Sequence, residues 1–147
     1  MNVRIGALVP VFLLLPADAF AGTATEAVQP FYSHPGLELE ASARDRFVDP
    51  AFTILNQNDA IRATGDEGCL DPALAFDDSD YDLAEVTASL NFSESVNGNE
   101  ARVVAAFKAE NAPHRMQWRL RKVGDAWKVA DLVSMTGDWA LSQFNCQ

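Results

Sequence analysis

The sequence is poor in the residues from which catalytic and metal sites are most often built. It has only two cysteines and two histidines among its 147 residues. It contains no CxxC pair, no zinc spacing, no phosphate loop and no dinucleotide fingerprint. His34 and His114 lack the local context of a nucleophile elbow, although a Ser/His/Asp site assembled from distant residues stays open. We therefore expect no cofactor and no metal, and nothing here argues for catalysis.

Long hydrophobic runs are also missing. The stretch Ile5–Leu15 has 11 residues, whereas a helix that crosses a bilayer needs about 20. Arg4 precedes this stretch and the small-x-small tripeptide Ala19-Phe20-Ala21 follows it, which is typical of a secretory signal peptide. We expect residues 1–21 to be removed, leaving residues 22–147 as one domain that is periplasmic or secreted, without a membrane span.

Cys69 and Cys146 are the only cysteines of the chain. An even count in an exported protein predicts a disulfide, and no other pairing competes with this one. A loop of this size would contribute about 4 kcal/mol to stability by the chain-entropy estimate.

Positive charge is scarce in the first half of the mature chain. Residues 22–100 hold 16 acids and 3 bases, whereas residues 101–147 hold 4 acids and 7 bases. The whole chain has a net charge of −10, so it lacks the dominant cationic surface that nucleic acid or an anionic membrane requires. The asymmetry suggests that the two halves cover each other.

The first half has the periodicity of helices. Apolar residues recur at helical spacing over residues 25–34, where Pro30 marks the expected start of the helix. Asp49-Pro50 predicts an N-cap and a first helical position, opening a helix that runs to about Arg62. Its expected apolar side consists of Phe47, Ala51, Phe52, Leu55 and Ile61.

The second half alternates apolar and polar residues with period two, as half-buried strands do. Four strands are predicted over residues 84–92, 102–108, 116–121 and 127–133. We therefore predict an α+β fold in which N-terminal helices pack on a curved four-stranded antiparallel meander. A short C-terminal helix is expected over residues 136–144.

The alternation places most of the positive charge on one side of the sheet. This candidate docking face for an anionic group or partner consists of Arg102, Lys108, Arg119, Arg121 and Lys128. Arg121 and Lys128 would lie opposite each other, which is mildly destabilising for like charges. We favour the interpretation that this face is solvated or paired with the protein's own acids.

A candidate pocket follows from the last hairpin. If Gly124 and Asp125 are the two loop residues, Asp131 lies opposite Trp118 on the apolar side. A carboxylate there must be hydrogen-bonded, paired or protonated. Tyr32 and His34 complete the candidate pocket, and aromatic residues around it are more often simply core. We favour a structural role for Asp131 and keep a pocket acid as the alternative.

A run of acids precedes the predicted strands. Asp78, Asp80 and Asp82 alternate as calcium ligands do, but Leu83 stands where the turn glycine belongs and Ser89 where the bidentate glutamate belongs. We interpret this run as a solvated turn.

Several motifs resemble an uncharacterised family of exported bacterial domains in the nuclear transport factor-like, or cystatin-like, α+β superfamily. They are Asp49-Pro50, Gly68-Cys69-Leu70-Asp71, Asp80-Tyr81-Asp82 and above all the hairpin from Trp118 to Asp131. The resemblance covers nearly the whole mature chain and implies a curved sheet around helices with a cone-shaped cavity. It implies no activity, because this fold hosts enzymes, toxin-neutralising proteins and inert binding modules alike.

Two classes of function remain. The first is a non-enzymatic periplasmic binding or accessory domain that engages an envelope protein or a small ligand; its specific version neutralises a cationic toxin with the acidic first half. The second is a small isomerase- or dehydratase-type enzyme in which Asp131 acts as a general base beside aromatic walls.

Overall fold

A computed structural model of the protein describes residues 23–147, and the predicted signal peptide at residues 1–21 lies outside the described residues. Four α-helices occur there: α1 (Ala24–Val28), α2 (Pro30–Ser33), α3 (Ala51–Ala63) and α4 (Leu83–Ser89). The strands are β1 (Asn91–Asn97), β2 (Glu100–Ala109), β3 (Ala112–Val123), β4 (Ala126–Ser134) and β5 (Trp139–Ala140). Short 3₁₀ helices span Leu37–Leu39, Ala41–Arg46, Leu74–Phe76 and Leu141–Gln143.

The strands form one antiparallel sheet in the order β1-β2-β3-β4-β5. The predicted α+β class and the meander are confirmed, but the sheet has five strands and not four. Asn97 pairs with Glu100, and Val123 pairs with Ala126. The predicted turn at Gly124-Asp125 therefore connects β3 to β4, and a two-residue turn at Gly98-Asn99 connects β1 to β2.

The predicted strand over residues 84–92 is wrong for most of its length, because those residues form α4. The Asp82 carboxylate accepts a hydrogen bond from the amide of Glu85, which caps the helix. Val86 is buried, and Leu90, four residues later, is partly buried, so their spacing fits one helix face as well as one strand face. β1 begins only at Asn91.

The ends of the other helices also differ from expectation. The first helix starts before Pro30, because Thr23 and Glu26 form a capping box; Pro30 instead opens α2. The predicted C-terminal α-helix is absent: residues 136–144 instead form β5 and a short 3₁₀ helix.

The helix predicted after Asp49-Pro50 is present as α3. The Asp49 carboxylate accepts hydrogen bonds from the amide and the hydroxyl of Thr53. Ala51 and Leu55 are buried as expected, whereas Phe52 is 39% exposed and lies outside the core.

The core lies between the helices and one face of the sheet, which we call the inner face. Its largest side chains are aromatic: Phe31, Tyr32, Phe76, Phe107 and Trp118. Phe31 stacks on Trp118 with ring centroids 4.7 Å apart. The ring of Tyr32 contacts Phe76, Phe107 and Trp118 at steep angles. These rings are packed against one another on the side of the sheet where the resemblance implies a cavity.

A disulfide joins Cys69, in the loop after α3, to Cys146 near the C-terminus. Asn58 of α3 holds the same loop, because its Oδ1 accepts hydrogen bonds from the amides of Cys69 and Leu70. Across residues 23–147, no helix has the length and apolar character needed to cross a membrane.

Candidate functional site

The face of the sheet opposite the helices, which we call the outer face, carries the cations predicted from the alternation. Arg102, Lys108, Arg119 and Arg121 are exposed there, and Lys128 is half-buried. In the register, Arg102 is opposite Arg119, and Arg121 is opposite Lys128. Two pairs of like charges thus face each other across neighbouring strands, an arrangement that destabilises a sheet.

Part of this face forms a groove of about 620 Å³, which we call the basic groove. It crosses the sheet from Ser95 and Asn97 of β1, over β2 and β3, to Asp131 of β4. Its charged side chains are Arg102, Arg119, Arg121, Glu100 and Asp131. A volume of this size is typical of ligand pockets and holds several side chains of a partner.

The groove arginines are mostly without counter-ions. Among the described residues, the ion pairs are Arg44–Asp59, His114–Asp77 and Arg119–Asp131. The Nη1 of Arg119 lies 3.7 Å from the Oδ2 of Asp131, beyond hydrogen-bond distance. Pairing of this face with the protein's own acids is therefore limited to one long contact in residues 23–147. Within the same residues, Arg102 and Arg121 have no ion-pair partner.

Asp131 lies in this groove and not on the apolar side, so the predicted register is wrong from Asp131 onward. Leu120 faces Val129 as expected, but a β-bulge then inserts Ala130, and Asp131 comes to face Arg119. Trp118 faces Leu132 instead. One extra residue on one strand moves every later side chain to the opposite face.

The Asp131 carboxylate is nevertheless buried and satisfied. Its Oδ1 accepts hydrogen bonds from the amides of Leu132 (3.0 Å) and Ser142 (2.9 Å), and its Oδ2 accepts one from the Ser142 hydroxyl at 2.7 Å. Asp131 thus fastens the C-terminal segment to β4 and forms one wall of the basic groove.

The four residues of the candidate pocket do not meet. Tyr32 and Trp118 are in contact, because the Trp118 Nε1 donates a hydrogen bond to the Tyr32 hydroxyl at 3.0 Å. Burial raises the pKa of Tyr32 far above its ordinary value, so this hydroxyl stays protonated. His34 is exposed at the end of α2 beside Ser33. Asp131 belongs to the other face of the sheet.

His114, the second histidine of the sequence, lies in β3. Its Nδ1 is 2.8 Å from the Oδ2 of Asp77, and its ring stacks on Phe107. The Oδ1 of Asp77 also accepts a hydrogen bond from Trp139 Nε1. Asp77 therefore joins the loop before α4 to β3 and β5.

The acidic run divides into members with different tasks. Asp77 binds His114 and Trp139, and Asp82 caps α4. Within residues 23–147, no group of three or more Asp, Glu, His or Cys side chains has the arrangement that could hold a metal ion.

The polar residues of β1 and the C-terminal segment that line the groove were missed. Ser95 and Asn97 alternate with Phe92, Glu94 and Val96 just before the predicted turn, so a strand signal was present. The alternation over residues 84–92 competes with this signal, because it predicts the first strand too early in the chain. Ser142 has no local signal, since only the fold brings it to Asp131.

No protein-family model and no curated protein sequence matches this chain. Among solved structures, the chain is similar to a chain in the crystal structure of the type VI native effector-immunity complex Tae3-Tai3 from Ralstonia pickettii. The TM-score is 0.50 with 16% sequence identity, and the match covers 83% of this chain and 94% of the other. At this identity the similarity establishes a shared fold.

Proposed function

We propose that this protein is a non-enzymatic binding protein of the bacterial envelope that neutralises a protein toxin by docking on it through the basic groove on the outer face of its sheet. The observation that carries the proposal is the basic groove, where Arg102 and Arg121 have no ion pair within the described residues. A chain from an effector–immunity complex shares the fold, and such a complex likewise joins two proteins, which supports a protein partner.

Energetic cost supports a docking role for this face. Like charges directly opposed across strands destabilise the free protein, and Arg102 and Arg119 form such a pair. That cost is recovered when an anionic group enters between them. Arginine is also enriched in protein interfaces and among the residues that dominate binding energy.

The enzyme alternative is weakened by the surroundings of its candidate residues, although Asp131 lines the basic groove. A general base needs to reach a substrate proton in an accessible pocket. Asp131 instead accepts three hydrogen bonds from Leu132 and Ser142. Tyr32 and Trp118 are 3% and 0% exposed, within the closed aromatic core.

We further propose that residues 1–21 direct the chain to the periplasm and that residues 22–147 form a single nuclear transport factor-like domain. The disulfide between Cys69 and Cys146 supports an oxidising compartment, and helices on one side of an antiparallel meander support the superfamily.

A growth assay tests the proposed function. The genes next to this one are screened for a secreted toxin, and each such toxin is exported to the periplasm of a bacterial host, with and without the full chain. We expect the wild-type chain to restore growth and to form a complex with the toxin in size-exclusion chromatography. The double variant Arg119→Glu with Arg121→Glu is expected to fold, as judged by circular dichroism, and to lose both effects.

The control is Lys108→Glu with Arg115→Glu, which makes the same charge change on the same face outside the groove. This control should neutralise like the wild type. A folded, exported wild-type chain that neither restores growth nor binds the toxin would contradict the proposed function.

A further inference from the structure

We infer that the basic groove binds an extended acidic segment of the protein partner, with carboxylates at alternate positions. This inference rests on the proposed function for the partner being a protein, and it adds the chemistry by which that partner is recognised. It also reverses the charge expected of a toxin bound by the acidic first half, since the occupant here is anionic.

The spacing of the groove arginines carries the first step. Arg102 and Arg119 are directly opposed on β2 and β3, so their Cβ atoms are about 5 Å apart and both guanidinium groups can reach one carboxylate. Arg121 lies two residues further along β3 on the same face, which is about 7 Å away at the strand rise of 3.4 Å per residue.

An extended segment that lies parallel to β3, over Arg119 and Arg121, has the same repeat. Its alternate side chains point the same way and are also about 7 Å apart. A carboxylate at one position of the segment can therefore pair with Arg102 and Arg119, while a carboxylate two residues further along the segment pairs with Arg121. Adjacent carboxylates on an extended chain point to opposite sides, so only one of such a pair can face the groove.

The acids already in the groove do not take the place of the ligand. Both oxygens of Asp131 accept hydrogen bonds from Ser142 or Leu132, and its Oδ2 lies 3.7 Å from the Nη1 of Arg119. Glu100 is opposite Arg121 in the register but forms no ion pair within 4.0 Å among the described residues. The guanidinium donors are left for an incoming carboxylate.

The net charge of −10 does not prevent this binding. The Debye length is about 8 Å at physiological ionic strength, so distant acids are largely screened at the groove. Ser95 and Asn97 at its β1 end add neutral donors and acceptors for the backbone of the segment.

The test uses labelled peptides and fluorescence anisotropy with the mature chain. Each peptide carries two charged residues in a serine background: the first has two glutamates separated by one serine, the second has the same two glutamates adjacent, and the third has two lysines separated by one serine. We expect the peptide with alternate glutamates to bind at least about threefold more tightly than the one with adjacent glutamates, because both of its carboxylates, and not one, can face the groove arginines at once. The lysine peptide is expected not to bind the groove.

Matched variants locate the binding. Arg102→Gln with Arg121→Gln should weaken binding of the alternating peptide about tenfold or more, because it removes charged donors from both subsites. Lys108→Gln with Arg115→Gln removes the same charge outside the groove and should change it less than about twofold.

Three results would overturn the inference: equal loss in both variant pairs, no preference for the alternating peptide, or binding of anionic lipid vesicles that depends on Arg102 and Arg121. The growth assay separates this inference from the proposed function. If the toxin is neutralised but the Arg102→Gln, Arg121→Gln variant neutralises it equally well, the inference fails and the proposed function stands. If the peptides bind as expected but the toxin is not neutralised, the groove does bind acidic segments and the proposed function fails.

Discussion

The two faces of the sheet are made by the same strands but differ in almost every physical property. The inner face is closed by aromatic rings around Tyr32 and Trp118, whereas the outer face is open and cationic. Trp118 is 0% exposed, while the side chain of the next residue, Arg119, is 50% exposed. The inner face therefore holds the fold together, and the outer face is available to a partner.

The difference between the two faces is smallest at β4. There the bulge at Ala130 carries Asp131 to the outer face, and Ser142 folds over it. This is the one place in the described sheet where a buried carboxylate lies beside the basic groove. At Asp131 a side chain that stabilises the fold thus adjoins the proposed docking groove, whereas the rest of the core lies on the opposite face of the sheet.

Neighbouring substitutions on β3 test the separation most strongly. Trp118→Ala removes a buried indole and should cost about 3–5 kcal/mol in the free energy of unfolding. Arg119→Ala, one residue later, should cost less than about 1 kcal/mol, because its side chain is half exposed and its ion pair is long. Urea unfolding of both variants measures the difference. Similar losses would show that the outer face is part of the structural core.

A buried acid on the helical side gives the next largest effect. The Glu38 Oε1 accepts a hydrogen bond from the amide of Ala75, and its Oε2 has no partner. Burial raises the pKa of Glu38 from 4.5 to about 7, against the smaller lowering effect of its backbone hydrogen bonds. Glu38 is only 2% exposed, so the folded protein holds this carboxyl protonated at pH values where the unfolded chain ionises it.

Stability from Glu38 is therefore fully present below pH 4.5 and is lost as the pH rises through about 7. The loss is on the order of 3 kcal/mol. Glu38→Gln keeps the shape and the acceptor for Ala75 but cannot ionise, so it should gain stability relative to wild type between pH 5 and 8. Urea unfolding of both proteins at the two pH values measures this. A difference that does not change with pH would contradict the prediction.

Asp131 is the contrasting buried acid, since its two oxygens are satisfied by Leu132 and Ser142. Asp131→Ala leaves two amides and a hydroxyl without their acceptor and should cost about 1–3 kcal/mol. Asp131→Asn retains one acceptor oxygen and should cost clearly less. Thermal melts of both variants beside wild type decide the matter, with Ser142→Ala as a control that removes only the hydroxyl contact. Equal and unshifted melting points would mean that Asp131 is not an anchor.

The sequence predicted those parts of the fold whose signals are local. The alternation of Val103, Ala105 and Phe107 and the glycine turn at Gly124 placed β2, β3 and β4 correctly. The outer-face cations followed from the same alternation. A period-two pattern succeeds here because one face is buried and the other is solvated.

What the sequence could not predict depends on contacts between distant residues. The bulge at Ala130 leaves no local mark, so Asp131 was assigned to the wrong face. Residues 84–92 fit either periodicity, and the Asp82 cap decided for a helix. The groove itself needs Ser95, Arg119 and Ser142 to come together, which only the tertiary fold achieves.

The smallest expected effect concerns the repulsion within the outer face. Arg102 is directly opposite Arg119, so Arg102→Gln should raise the free energy of unfolding by about 0.2–1 kcal/mol. Salt screens interactions between exposed charges, so the gain should be present at low ionic strength and disappear near 1 M salt. Lys108→Gln is the matched control, because Lys108 faces Pro113 and not a cation, and it should show no gain at either salt concentration. Urea midpoints at the two ionic strengths measure both variants. A loss of stability in Arg102→Gln would mean that Arg102 is paired with an acid of this chain. Its guanidinium group would then not be free to bind a carboxylate of a partner.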